Sequence, residues 1–152
     1  MALMPPPVDR RFGFAWVGFG LAVAIHVLDE ATHDFLAFYT PNARAIRARF
    51  PFLPLPAFTF ESWLTSLAIA IGILLCLSPF AFRGMRWARF AAVPVAVLAG
   101  ILNACVHMLS SIYYHRWMPG VYSSPLLLLA AIFLIATARS HPAQSANAAA
   151  AH

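Results

Sequence analysis

Charge is what this chain of 152 residues has least of: only 10% of its residues are charged, and lysine is absent. With 62% hydrophobic residues and a mean hydropathy of +0.77, it falls outside the composition of soluble globular domains. The ten basic residues are all arginine and all lie outside the long apolar runs. The net charge of +5 therefore reads as guanidinium groups facing lipid headgroups, and a nucleic-acid surface is excluded. Cysteine is scarce too. Cys76 and Cys105 lie in different apolar runs without CxxC spacing, so they read as small buried apolar residues rather than as a disulfide or a thiolate metal site. The N-terminal run "FGFAWVGFGLAVAI" lacks a small-residue cleavage site, which makes it an uncleaved first span rather than a signal peptide. No internal repeat is visible.

What is present is apolar length. A span needs about 20 apolar residues, which allows four, and four runs are seen, at about 12–38, 60–80, 90–114 and 122–137. The expected fold is an all-α integral membrane four-helix bundle over residues 12–138, between disordered tails at 1–11 and 139–152. In the first long loop, "YTPNARAIRARF" reads as a short basic interfacial helix with Thr40 as N-cap and Pro41 as first residue. Pro94 is expected in the first turn of the third span. Four spans place both termini on one side, with six arginines (Arg10, Arg11, Arg83, Arg86, Arg89, Arg139) against four (Arg44, Arg47, Arg49, Arg116). That balance predicts cytoplasmic termini.

The acids behave differently from the arginines. Asp9 sits in the N-terminal tail, but Asp29, Glu30, Asp34 and Glu61 lie within or at the edge of apolar runs, and the first run passes straight into "HVLDEATHDF". At 100° per residue, His26, Glu30 and His33 fall within an arc of roughly 60°, flanked by Asp29 and Asp34. Glu61 opens the second span, and Asn103 and His107 lie one helical turn apart on the third. In an up-down bundle Asp29, Glu30, His33, Glu61, His107, His115 and Tyr122 then converge near one membrane face, opposite the termini. Blander roles compete for some of them: Asn103 as interhelical hydrogen-bond glue, Glu61 as a first-turn acid that complements its helix dipole, and His115, Tyr113, Tyr114 and Trp117 as interfacial residues.

An ionised carboxylate in mid-membrane costs several kcal/mol, and no arginine lies within the spans to offset it. Protonation, an imidazolium partner or a bound cation must therefore compensate the stripe. The Glu30-x-x-His33 spacing matches that of carboxylate metal sites in helical bundles, and mixed nitrogen and oxygen ligands suit zinc or iron. The expected metal ligands are His26, Glu30, His33 and His107, with Asn103 in support and Glu61 or Asp29 as ligand or general base. Without a metal, Glu30 or Glu61 would act as the acid, with His26 or His107 as its partner.

His26, Asp29 and Glu30 in "HVLDE" resemble the signature of the HXXEE-domain family, small membrane proteins named for an H-x-x-E-E motif in their first span. "NACVH" and "MPGVYSS" are similar to that family's downstream pattern. Asp29 departs from the motif: it keeps the carboxylate with a shorter reach. A weaker similarity, in His26, Glu30, Glu61 and Asn103, is to the emopamil-binding-protein (EXPERA) fold. Neither resemblance supplies a reaction. From the residues, the expectation is an intramembrane enzyme acting on a lipid or isoprenoid-like substrate, by metal-assisted or acid/base chemistry. A metal or proton transporter and a structural membrane subunit are the alternatives.

Overall fold

The computed structural model describes residues 8–140. Of the expected tails at 1–11 and 139–152, residues 1–7 and 141–152 lie outside the described residues, while Arg10, Arg11 and Arg139 belong to helices. Among the described residues all regular structure is helical: α1 (Arg10–Thr32), α2 (Phe35–Arg49), α3 (Phe60–Cys76), α4 (Ser78–Phe82), α5 (Arg86–Val95), a π-helical stretch (Ala96–Leu102), α6 (Asn103–Tyr113) and α7 (Ser124–Arg139). Three continuous helical runs, Arg10–Thr32, Phe60–Phe82 and Arg86–Tyr113, are long and apolar enough to cross a membrane, while α7 is apolar but shorter.

The core is built from α1, α5, the π stretch and α7. Along α1 the buried positions Phe12, Trp16, Phe19, His26 and Glu30 follow the 3.6-residue repeat, so one stripe carries the apolar core and then the polar site. Alanines line the facing helices: Ala88, Ala92, Ala96 and Ala131 are fully buried. Small residues let apolar helices approach closely and pack by van der Waals contact. Gly100 marks a close approach, because a Cβ there would lie 2.5 Å from Ala131 Cβ and 2.9 Å from the Phe19 ring. The Trp16 indole donates to the Leu74 carbonyl oxygen across 2.7 Å and fixes α3 against α1. From Phe60 to Cys76, α3 buries only Trp63.

Three expectations are corrected along the chain. The first span does not continue to residue 38. The His33 amide closes onto the Asp29 carbonyl, and Asp34 turns left-handed at φ 53°, a conformation that Asp tolerates better than most residues. The chain restarts as α2 at Phe35, so Thr40 and Pro41 lie inside that helix rather than at its start. Pro41 brings no amide to the ladder, and the Asn42 side-chain amide donates instead to the neighbouring Phe38 carbonyl oxygen at 2.7 Å. The third run begins at Arg86, which puts Pro94 well inside α5. Pro94 removes a hydrogen bond to Phe90, and the π stretch follows directly.

At the end of the bundle away from His26, Asp9 caps α1 by accepting from the Phe12 amide (3.1 Å). Its carboxylate also pairs with Arg89. Arg89 in turn donates to the carbonyl oxygens of Thr137 (3.1 Å) and Ala138 (3.0 Å), the orphan acceptors at the C-terminus of α7. Its guanidinium lies over the Phe12 ring at 5.0 Å. One arginine therefore ties together the ends of α1, α5 and α7. Both side chains stay partly exposed, so losing the pair costs less than the ~3–5 kcal/mol of a buried one. Arg89→Met is expected to destabilise the protein by about 2 kcal/mol, read as a lower thermal midpoint in detergent.

Candidate metal centre

Three polar side chains at the far end of the core stripe are almost wholly buried: His26, Glu30 and His107. Glu30 Oε1 lies 2.9 Å from His107 Nε2 and 3.8 Å from His26 Nε2, and the two imidazole rings meet edge to face at 4.9 Å. Helix α1 supplies His26 and Glu30 one turn apart, and α6 supplies His107 from across the bundle. The loop before α7 closes the third side. Among the described residues this is the one group of three or more histidine, cysteine or acidic side chains able to hold a metal ion, with all three ligand atoms within 4.8 Å of one another.

The contact behind each ring fixes a hydrogen on its Nδ1. His107 Nδ1 is 2.5 Å from the Pro119 carbonyl oxygen. A carbonyl only accepts, so Nδ1–H donates, and Nε2 faces Glu30 as a lone pair in the neutral ring or as a second donor in the imidazolium. His26 Nδ1 is 2.9 Å from Ser123 Oγ. That hydroxyl has one proton, and the Asp29 carboxylate at 2.7 Å draws it more strongly than the Gly120 carbonyl at 3.2 Å. Ser123 Oγ therefore accepts from His26 Nδ1–H, and in the neutral ring His26 Nε2 is a lone pair. This Nε2 is buried and has no hydrogen-bond partner. Two imidazole Nε2 atoms thus face one carboxylate in a buried pocket, where a proton or a cation must lie between them.

The closing loop is held at several points. Ser111 Oγ accepts from the Met118 amide (3.0 Å), Ser124 Oγ donates to the Gly120 carbonyl (2.7 Å), and the Ser123 amide donates to Asp29 Oδ2 (2.9 Å). Gly120 has φ +82°, and a Cβ there would meet His107 Nδ1 at 2.8 Å and His26 Cε1 at 3.0 Å. Only a glycine lets the loop lie this close to both rings.

The other expected site residues lie elsewhere. His33 stands outside the cluster: its side chain is half exposed, its Nδ1 reaches the Asp29 carbonyl oxygen at 2.8 Å, and its ring lies 5.3 Å from Tyr122. The break of α1 at this residue ends the stripe before His33 can join it. Asp29 braces Ser123 and does not face the two Nε2 atoms. Glu61 is exposed in the first turn of α3. Asn103 lines a groove between α2 and α6 that reaches His107. His115 and Arg116 line a separate groove beside Met108 and Val121. Ser123, Gly120 and the Pro119 carbonyl were not foreseen as parts of a site, although "MPGVYSS" stood out in the sequence.

Ser123 gives a direct test of the bracing. Ser123→Ala removes the acceptor that holds His26 Nδ1–H; if the cluster holds an ion, its retention is expected to weaken about ten-fold, measured by competition with a chelator. Ser123→Thr, which keeps the hydroxyl, is expected to restore it.

A family model described as "Protein of unknown function with HXXEE motif" matches residues 16–135. No curated protein and no solved structure matches the chain. The similarity to the emopamil-binding-protein fold thus rests on His26, Glu30, Glu61 and Asn103 alone, of which His26 and Glu30 meet.

Proposed function

The chain belongs to the HXXEE family, and we propose that its His26–Glu30–His107 cluster is an intramembrane divalent-metal centre of a four-span membrane enzyme acting on a lipid-like substrate. The observation that carries this reading is the pair of Nε2 atoms gathered around Glu30, each ring held by an acceptor behind its Nδ1. Two histidines and one glutamate make the ligand set of several catalytic zinc sites, which keep a fourth position open. Ligands about 2.0–2.1 Å from a tetrahedral ion stand roughly 3.3 Å apart. The spacings of 2.9 and 3.8 Å to Glu30 bracket that value. Nδ1–H donors anchored on a carbonyl and on a carboxylate-backed serine are the outer contacts that metal-bound histidines make.

A bound ion would supply Lewis-acid polarisation of a substrate oxygen. The protein's part is to hold it with a net charge reduced by Glu30, keep water out with the surrounding core, and fix both rings against rotation. A conduit would need a polar route to the opposite face. Beyond His26 the described core along α1 is Ala22, Phe19, Trp16, Ala15 and Phe12, all buried, which favours a one-sided pocket over transport. In this reading α7 forms the fourth span, and the centre lies toward the face opposite the termini.

Purification in mild detergent without chelators, followed by elemental analysis, tests the centre. About one zinc or iron per chain is expected, retained in His33→Ala and lost in His107→Ala. Metal-free wild-type protein under these conditions would remove the reading.

A further inference from the structure

The groove between α2 and α6 has a volume of about 570 Å³, within the ~300–1,000 Å³ of small-molecule sites. It is walled by Phe35, Phe38 and Ile46 on one side and by Val106, Leu109 and Tyr113 on the other, and His107 lies at its inner end. The Phe35 ring stacks on Trp63 at 5.6 Å and approaches His107 at 5.7 Å, so α2 begins beside the buried cluster. From there α2 runs outward. Phe35, Phe38, Asn42 and Ile46 share one helical face, and Arg49 falls on the same face just beyond them. Arg44 and Arg47 add charge to the same outer half. The Arg116 guanidinium lies 5.9 Å from the ring of Tyr114, itself a lining residue. Among the described residues, α2 carries no acid after Asp34. The wall is therefore apolar and aromatic where it meets the centre and cationic where it ends.

Resting on the metal-centre reading, we propose that this groove holds one hydrocarbon chain of a membrane lipid with an anionic, phosphate-type headgroup. The headgroup sits at Arg49, and the chain runs inward toward His107. Arginine suits this role because its planar fork matches phosphate geometry. Phe35 and Ile46 are eleven residues apart, roughly 16 Å along the helix. The reacting part of the substrate is thus deep in the chain and remote from the headgroup, which excludes headgroup hydrolysis at this centre.

The test uses the intact protein in detergent with two probes, oleoyl lysophosphatidic acid and monooleoylglycerol. The phosphate ester is expected to bind about ten-fold more tightly. Arg49→Gln should remove most of that preference while leaving the glycerol ester unaffected. Val106 is 58% exposed on the groove wall, so Val106→Trp should fill the groove and weaken both probes without altering metal content or the thermal midpoint. A lysophosphatidic acid with a diazirine near its chain terminus should label the stretch around Asn103 to His107, and one with the diazirine near the headgroup should label that around Ile46 to Arg49. Equal affinity for the two probes, unchanged binding in Val106→Trp, or a reversed labelling pattern would each overturn the proposal. Selective, groove-dependent binding by a protein that never holds metal would instead support the groove and overturn only the metal centre.

Discussion

At the proposed metal centre, Glu30→Gln is expected to leave a folded protein that no longer retains an ion. Glu30 Oε1 is the atom both Nε2 nitrogens face, and it supplies the only negative charge of the cluster. Outer contacts of metal sites are worth about 10–100-fold in affinity, so loss of a direct anionic ligand is expected to exceed ~100-fold. The fold has reason to survive. A glutamine amide is the same size as the carboxylate, and its N–H can donate to the His107 Nε2 lone pair, satisfying in the apo protein a group that Glu30 can satisfy only by sharing a proton. Elemental analysis and thermal melting, run together, check both halves. Full metal retention in the variant would show that Glu30 is not a ligand.

Gly120→Ala should do the opposite, damaging structure and metal retention together. The backbone at φ +82° is strained for any residue with a side chain. The new methyl would also press on two imidazoles that cannot step aside, because His107 is held by Pro119 and His26 by Ser123. Strain and overpacking each cost about 1–3 kcal/mol, so the thermal midpoint should fall clearly and the metal should be lost more readily. If Gly120→Ala melts and binds metal like the wild type, the loop does not press on the rings as described.

The parts of this arrangement that were legible in the sequence are those that depend on helical periodicity. His26 and Glu30 could be placed on one face because α1 is regular through both, and His107 could be offered as a partner because it is a histidine in an apolar run. His33 fitted the same arithmetic, but the arithmetic assumes an unbroken helix, and the left-handed Asp34 is a local backbone event that hydrophobic pattern does not encode. Glu61 was drawn in by the up-down order of spans, yet order fixes only which end a residue occupies, not which way it faces. The Pro119 contribution is a main-chain oxygen, which no residue type announces. The Arg89–Asp9 pair joins positions 80 residues apart, and each alone read as an ordinary charge outside the spans.

The π-helical stretch at Ala96–Leu102 has a meaning for the centre as well as for packing. A π turn holds a residue that an α-helix of the same rise would not, and each residue turns the chain by about 100°. Up to the start of the stretch, alanines at 88, 92 and 96 pack into the core; below it, Ala104 and His107 do so. In an uninterrupted α-helix these two sets would not keep the same relation to α1. The helix works here like a key with one extra tooth: its upper half is cut for the core, its lower half for Glu30, and a single supernumerary residue between Pro94 and Asn103 brings both into register.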